Sequence, residues 1–497
     1  MWADIIAGIA MSLTFSSLLA GAGGVALGII FGALPGLTAT MGVALLLPLT
    51  FSMTATAAFS AMLGMYVGAI YGGVITAILV GTPGTVAQVA TVLEGPALTA
   101  KGESKKALEL STWASFIGGM FSCIVLVTLA PMLAKVATAF GAAEYFAVAV
   151  FAMAVVATLT SKAIIKGGIA ALIGCFLSTI GSDPISGELR STFGFIQLFS
   201  GLPLVSVLIG LFAVGQIALT MEKFFANPIE MGVAPISRTG LSFKELWGFR
   251  IPLLRSSIIG TIIGIIPATG VGTAAFLAYA DAKGRSKNPE QYGKGCLEGI
   301  SATESANSAV IGGGLIPTLT LGIPGDIVMA IMLGALMIQG LVPGPLLFQQ
   351  HTVVVYSIFS ALIVANLFML FMGLFSIRWM AKILLVPTGV LMPAVIALCV
   401  VGGYAINNST FDLIIVGIFG VVGYLLLKIE IPQAPLLLSM ILTPIAETNF
   451  RRALVISDGS YGIFFTSPIS AFLLALAAFV IIRMALKEIR INKQVSG

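Results

Sequence analysis

The 497-residue chain is 58% hydrophobic and only 9% charged, against roughly a quarter charged in ordinary soluble domains. So little charge cannot cover a soluble globule, which excludes a water-soluble enzyme or binding module of this length. The net charge of +5 sits mostly in short loops between apolar stretches, a topogenic pattern and not a nucleic-acid surface.

In chain order, the opening MWADIIAGIAMSLTF lacks the basic region of a signal peptide and reads as retained. Apolar stretches of spanning length then recur, as at residues 107–130, 163–180 and 467–482. About eleven or twelve such passages, some of them interrupted, predict one all-α polytopic membrane bundle embedded in the lipid bilayer. Cys123, Cys175, Cys296 and Cys399 are widely spaced in apolar surroundings and read as packing residues. A single histidine, His351, argues against zinc chemistry and a Ser-His-Asp triad. No Walker A sequence is present, so no ATP-driven step and no cofactor are expected. The GVGTAA around Gly270 follows no strand and is not a dinucleotide fingerprint.

An internal repeat organises the chain. LGIIFGALPGLT (Gly28, Gly32, Pro35) matches IGTIIGIIPATG (Gly260, Gly264, Pro267), and GVITAILVGTPG (Gly73 to Gly84) matches GLIPTLTLGIPG (Gly314 to Gly325). This predicts repeats at 1–222 and 251–497, joined by a cytoplasmic linker at 223–250 that carries Lys223, Arg238, Lys244 and Arg250. Equivalent loops have opposite charge. Residues 51–58 hold no Lys or Arg, while 281–294 hold Lys283, Arg285, Lys287 and Lys294; after the second motif the pattern swaps, with Lys101, Lys105 and Lys106 against none in 340–351. Basic loops stay in the cytoplasm, so the repeats are expected to be inverted, as in many secondary transporters. The rule also puts Arg378, Lys382 and the C-terminal tail inside. Arg451 and Arg452 fall outside, so either 432–449 is re-entrant or the span count shifts by one.

Four Gly-Pro breaks interrupt the apolar stretches: LPGLTAT (34–40), GTPGT (81–85), PATGVGT (267–273) and GIPGD (322–326). Proline removes a helical hydrogen bond, and in lipid the freed backbone must find protein or a water-filled cavity. Helices starting after the breaks would aim unpaired N–H groups and positive dipole ends inward, where they bind anions. The candidate substrate contacts are Pro35, Gly36, Thr38 and Thr40; Thr82, Pro83, Gly84 and Thr85; Thr269, Gly270 and Thr273; Pro324 and Gly325. No Lys or Arg lies in these segments, so a carboxylate substrate would be met by helix N-termini, hydroxyls and a co-bound cation. A further segment, SATESANSAV (301–310), adds Ser305 and Asn307 to the contacts. Na⁺ or H⁺ is the expected coupling ion, with Gly81, Glu304, Gly322 and Asp326 as its candidate ligands. Bland readings stand beside these: the breaks as packing kinks, Glu304 as an interfacial partner of Lys294, Asp326 as a helix cap. Glycine ladders at 24/28/32 and 64/68/72 predict close internal helix contacts.

These same segments resemble the large membrane subunit of tripartite tricarboxylate transporters. GALPGLTATMGVALLLPLTF, the GAIYGGVITAIL…TPGT run and the long stretch from PATGVGTAAF to LVPGPLLF carry the likeness, over roughly residues 20–470. The resemblance implies a multi-pass subunit of the bacterial inner membrane. It implies two partners, a small four-helix membrane subunit and a periplasmic solute-binding protein, and import of citrate or related carboxylates on an ion gradient. The Pro-Gly segments and the Glu-Ser-Ala-Asn run are the matching positions. Family members commonly have Asn where this chain has Gly81, and often a small hydroxyl residue where it has Asp326; both departures bear on which substrate is carried. A homo-oligomer is left open. The competing classes are a membrane-embedded enzyme using Glu304, Asp326 or Asp412, which the scarcity of clustered acids disfavours, and a structural membrane scaffold.

Overall fold

The computed structural model describes residues 2–34, 36–159, 164–226, 236–237, 239–267, 269–383, 388–405 and 407–495. Pro35 and Arg238 lie outside the described residues, as does much of the linker.

The chain is almost entirely helical. The first half runs α1 (Trp2–Ser12), α2 (Phe15–Ala33), α3 (Ala39–Leu46), α4 (Ala55–Leu79), α5 (Gly95–Ala100), α6 (Ser104–Ala137), α7 (Ala142–Leu159), α8 (Ile164–Ser178), α9 (Leu204–Leu208) and α10 (Gly215–Ala226). Then follow α11 (Phe243–Gly248), α12 (Arg250–Ile265), α13 (Gly270–Arg285), α14 (Leu297–Leu321), α15 (Ile327–Ile338), α16 (Pro345–Gln350), α17 (Thr352–Ile383), α18 (Thr388–Ala405), α19 (Thr410–Lys428), α20 (Gln433–Ile456), α21 (Ile463–Thr466) and α22 (Pro468–Val495). A two-residue hairpin, Gly181–Ser182 paired with Leu189–Arg190, is the only sheet among the described residues. Among the described residues six helices are long and apolar enough to cross a bilayer, and shorter apolar helices accompany them. The fold is an all-α polytopic membrane bundle.

Two helices form its centre. Every residue of α4 from Thr56 to Leu79 is buried, as is α14 from Gly299 to Thr320. Neither has a solvent or lipid face, so neither needs an apolar stripe, and α14 tolerates Ser, Thr, Asn and Glu because protein surrounds it. Glycine lets the neighbours approach backbone to backbone. The α2 ladder lies on α4: a side chain on Gly28 would strike the Met65 carbonyl, one on Gly32 the Ala69 carbonyl, and one on Gly72 the Ile29 carbonyl. The second half repeats this contact for contact. Gly260 faces the Ala306 carbonyl, Gly264 that of Val310, and Gly313 that of Thr261. The ladders are therefore internal contacts, as the sequence predicts.

The long helices bind each half to the other. α6 packs along α14, with Gly118 against Ser305 and Gly312 against Ser122; α17 packs along α4, with Thr56 and Ser357 hydroxyls 3.1 Å apart. Where they cross, α6 and α17 run antiparallel, since Gly119 abuts Asn366 and Thr112 abuts Gly373.

One expectation is corrected here. Residues 432–449 are not re-entrant, because α20 is a single helix from Gln433 to Ile456. Arg451 lies near its end in an ionic cluster with Asp183 (2.8 Å), Glu447 (2.6 Å) and, through those carboxylates, Arg190. Two acids neutralise two bases, so Arg451 is not a bare topogenic charge.

Candidate functional site

Each break ends a helix differently. After α2, Leu34 is extended and Gly36 takes φ +91°, with its carbonyl accepting from the Thr220 hydroxyl at 3.4 Å. Thr38 then caps α3, its Oγ1 accepting from the Met41 N–H at 3.1 Å, and Thr40 sits half-buried one turn in. After α4, Gly81 takes φ +79°, Pro83 is exposed, and Gly84 is wedged among the Gly32 carbonyl, Gly73 and Thr76. The Thr82 hydroxyl is buried without a partner among the described residues.

Thr269 turns its hydroxyl back to the carbonyls of Ile263 (2.6 Å) and Ile266 (2.9 Å), closing α12, while Thr273 donates to the Thr269 carbonyl at 2.7 Å. Gly270 takes φ +72° and opens α13 without a side-chain cap. Gly322 ends α14 in the left-handed region, Pro324 is buried, and Gly325 fits between Gly314 and the Gly264 carbonyl. Asp326 caps α15, accepting from the Met329 N–H at 2.8 Å, and its other oxygen accepts from the Tyr66 hydroxyl of the first half. The capping role proposed for Asp326 is thus present. Its two oxygens are engaged by donors from both halves.

The breaks form a ring. Gly84 joins the second to the first through Gly32, and Gly325 joins the fourth to the third through Gly264. Val86, just past the second break, touches Gly272, just past the third, while α3 packs against α15 to close the circuit. The expected four converging helix starts are only partly present. Past the second break stand 3-10 turns, Val86–Val89 and Thr91–Leu93, where an α-helix was expected. Thr85 gives its hydroxyl to Gln88 Oε1 and caps no backbone group, while Gln88 Nε2 donates to the Ile70 carbonyl at 2.7 Å. That side-chain network displaces helix nucleation. Thr38 and Asp326 each occupy one first-turn N–H of α3 and α15, leaving other first-turn donors uncovered by the cap.

Glu304, Ser305 and Asn307 lie on α14 near this ring. Ser305 faces α12, donating to the Leu253 carbonyl at 2.9 Å with its hydroxyl 2.8 Å from that of Ser257. Glu304 is fully buried and is not paired with Lys294, which is exposed. Its Oε1 accepts from the Thr91 hydroxyl, and Thr91 lies 3.0 Å from the Thr303 hydroxyl.

Sequence reasoning missed Glu94 and Gln88. The buried Glu94 carboxylate accepts from the Tyr279 hydroxyl (2.7 Å) and from the N–H groups of Gly293 (2.6 Å), Gly295 (2.9 Å) and Cys296 (2.7 Å). It staples the end of the first half's 3-10 turns to the loop before α14. A lone Glu before Gly95-Pro96 was its only sequence signal. The other seam is lighter: Gln339 Nε2 donates to the Thr50 carbonyl at 3.1 Å. An open apolar groove of about 400 Å³ between α6, α7, α14 and α22, lined by Phe140, Leu321 and Phe472 among others, includes none of the break residues.

Residues 18–438 match the tripartite tricarboxylate transporter TctA family. The chain is similar to an uncharacterized 52.8 kDa protein in the TAR-I ttuC' 3' region of Agrobacterium vitis, at 36% identity over 467 residues, 94% of this chain and 93% of that one. It is also 38% identical over 231 residues to an uncharacterized protein in the TAR-II ttuC' 3' region of the same organism, covering 46% of this chain and 96% of the relative. No solved structure matches. With a family match across most of its length, on a polytopic helical bundle built around broken helices, the chain belongs to the TctA family of tripartite tricarboxylate transporters.

Proposed function

We propose that the chain is the large membrane subunit of an ion-gradient-driven secondary transporter that imports tricarboxylates or related organic carboxylates by alternating access. It works in the bacterial inner membrane with a small four-helix membrane subunit and a periplasmic solute-binding protein. Its two halves, 1–222 and 251–497, are an inverted pair about the cytoplasmic linker 223–250.

The observation that carries this reading is the ring of four breaks, assembled from two register-matched halves and containing no Lys or Arg. An anion there meets backbone N–H groups and hydroxyls, which recognise carboxylates without a fixed counter-charge. The antiparallel crossing of α6 and α17, equivalent helices in chain order, supports inversion, because an in-plane two-fold axis reverses each helix relative to its counterpart. The test is uptake of labelled citrate into proteoliposomes containing both membrane subunits, with binding protein outside. Uptake should need the binding protein and an imposed Na⁺ or H⁺ gradient. Uptake that proceeds unchanged without either would overturn the proposal.

A further inference from the structure

Among the described residues, buried carboxylates are matched by protein groups, with one exception. Glu94 accepts four hydrogen bonds. Asp326 accepts two, at the N-terminus of α15. Asp183 is paired with two arginines, and Asp412, in the first turn of α19, accepts from Asn407 Nδ2 at 2.7 Å. Glu304 Oε1 accepts from the Thr91 hydroxyl, and the side-chain amides of Asn307 and Gln88 lie beside the carboxylate. Its Oε2 is buried with no partner among the described residues, and no Lys or Arg among them forms an ion pair with it.

Asn307 lies one turn further on the same face of α14 and is also fully buried. Neither its Oδ1 nor its Nδ2 makes a well-formed hydrogen bond among the described residues, and the amide lies beside the Glu304 carboxylate. An uncompensated carboxylate in such a place carries its full desolvation penalty, and an amide atom left without a well-formed bond adds to it. One positive charge between Oε2 and Oδ1 relieves both acceptors at once. The donor set fits a charge of one. No group of three or more His, Cys, Asp or Glu side chains that could hold a more highly charged metal occurs among the described residues. Here a single carboxylate is surrounded by neutral oxygens, with Thr91 and Thr303 adding hydroxyls.

We propose that Glu304 and Asn307 of the second half, with Thr91 of the first, form a single monovalent-cation site across the seam between the halves. It is the coupling site of the transport reading above, on which it rests. The site is not duplicated by the repeat. Aligning Gly73 with Gly314 puts Leu63 where Glu304 stands, Tyr66 where Asn307 stands and Thr85 where Asp326 stands. On that side Tyr66 and Asp326 satisfy each other, so Asp326 is left out of the site. Because its ligands come from both halves, the cation is held only while the seam is closed.

The test is binding to the purified full chain in nanodiscs, without substrate or partners. ²²Na⁺ should bind at about one per chain, weakened at least about tenfold in Glu304→Gln and in Asn307→Ala, and changed less than about twofold in Asp326→Asn. A proton as the cation gives the other supporting result: no ²²Na⁺ binding, and an infrared band of a protonated carboxyl that titrates in the wild type and disappears in Glu304→Gln. Neither signal, or equal loss in Asp326→Asn, overturns the site. Where Glu304→Gln does not fold, Asn307→Ala carries the sodium comparison, and its shift of the carboxyl band carries the proton one. Cation binding without gradient-driven uptake overturns the transport reading and leaves the site. Uptake coupled normally in a folded Glu304→Gln does the reverse.

Discussion

Single glycines decide whether the broken helices can meet. Gly84 and Gly325 occupy matching niches in which an added methyl would collide with backbone atoms of Gly73 and Gly314, and no flexible side chain can yield. Gly84→Ala and Gly325→Ala should each lower stability by about 1–3 kcal/mol and reduce uptake, as overpacking does elsewhere. Gly23, also on a helix, faces open space. Gly23→Ala should leave the thermal midpoint unchanged or raise it slightly. Equal midpoints for Gly23→Ala and Gly84→Ala would sink the packing argument. Glu94→Gln replaces an acceptor of four hydrogen bonds with an amide whose NH₂ faces backbone donors, and it should cost about 2–4 kcal/mol in the same measurement.

At the scale of elements, the breaks were legible because glycine and proline act locally: a missing donor or a positive φ marks its own position. The glycine ladders were legible for the same reason. What followed a break was less so. Residues 86–93 contain no helix breaker, yet they form 3-10 turns because Gln88 reaches back eighteen residues to the Ile70 carbonyl. Glu94 was hidden for a stronger reason. Its partners lie about two hundred residues away and three of them are backbone N–H groups, which leave no trace in side-chain pattern. Among the polar elements, α11 closes on the start of α6 through Lys106 and Glu245 and carries a capping box from Ser242. The Lys106 hydrogen bond, then the Ser242 N–H, hold the Glu245 carboxyl below its ordinary value of 4.5. A lowered folded value means the contact is fully present above pH 4.5 and fades as acid takes the pH below the folded value. The protection of α11 amides, taken relative to the intrinsic exchange rate at each pH, should therefore fall at low pH in the wild type, and be lower and less acid-sensitive in Glu245→Gln.

For the molecule as a whole, the proposed inversion of the halves makes a geometric demand. Met53 and Lys287 are exposed in equivalent loops. Met53→Cys and Lys287→Cys should react with a membrane-impermeant maleimide from opposite sides of sealed vesicles. Labelling from the same side would exclude inversion, however well the glycine registers match. The charge swap between loops is the sequence feature that suggests this arrangement, since topogenic bias needs no knowledge of tertiary contacts. The site was readable only in part. Glu304 stood out as a charge inside a span, whereas its separation from Asp326 required knowing which oxygens already had donors.

The two seams are clasped unequally, four bonds to the Glu94 carboxylate against one neutral bond from Gln339 beside the Tyr66–Asp326 pair. Under the alternating access proposed above, the seam with the stronger clasp is the slower to part, so that cargo would be admitted readily past Gln339 and discharged slowly past Glu94.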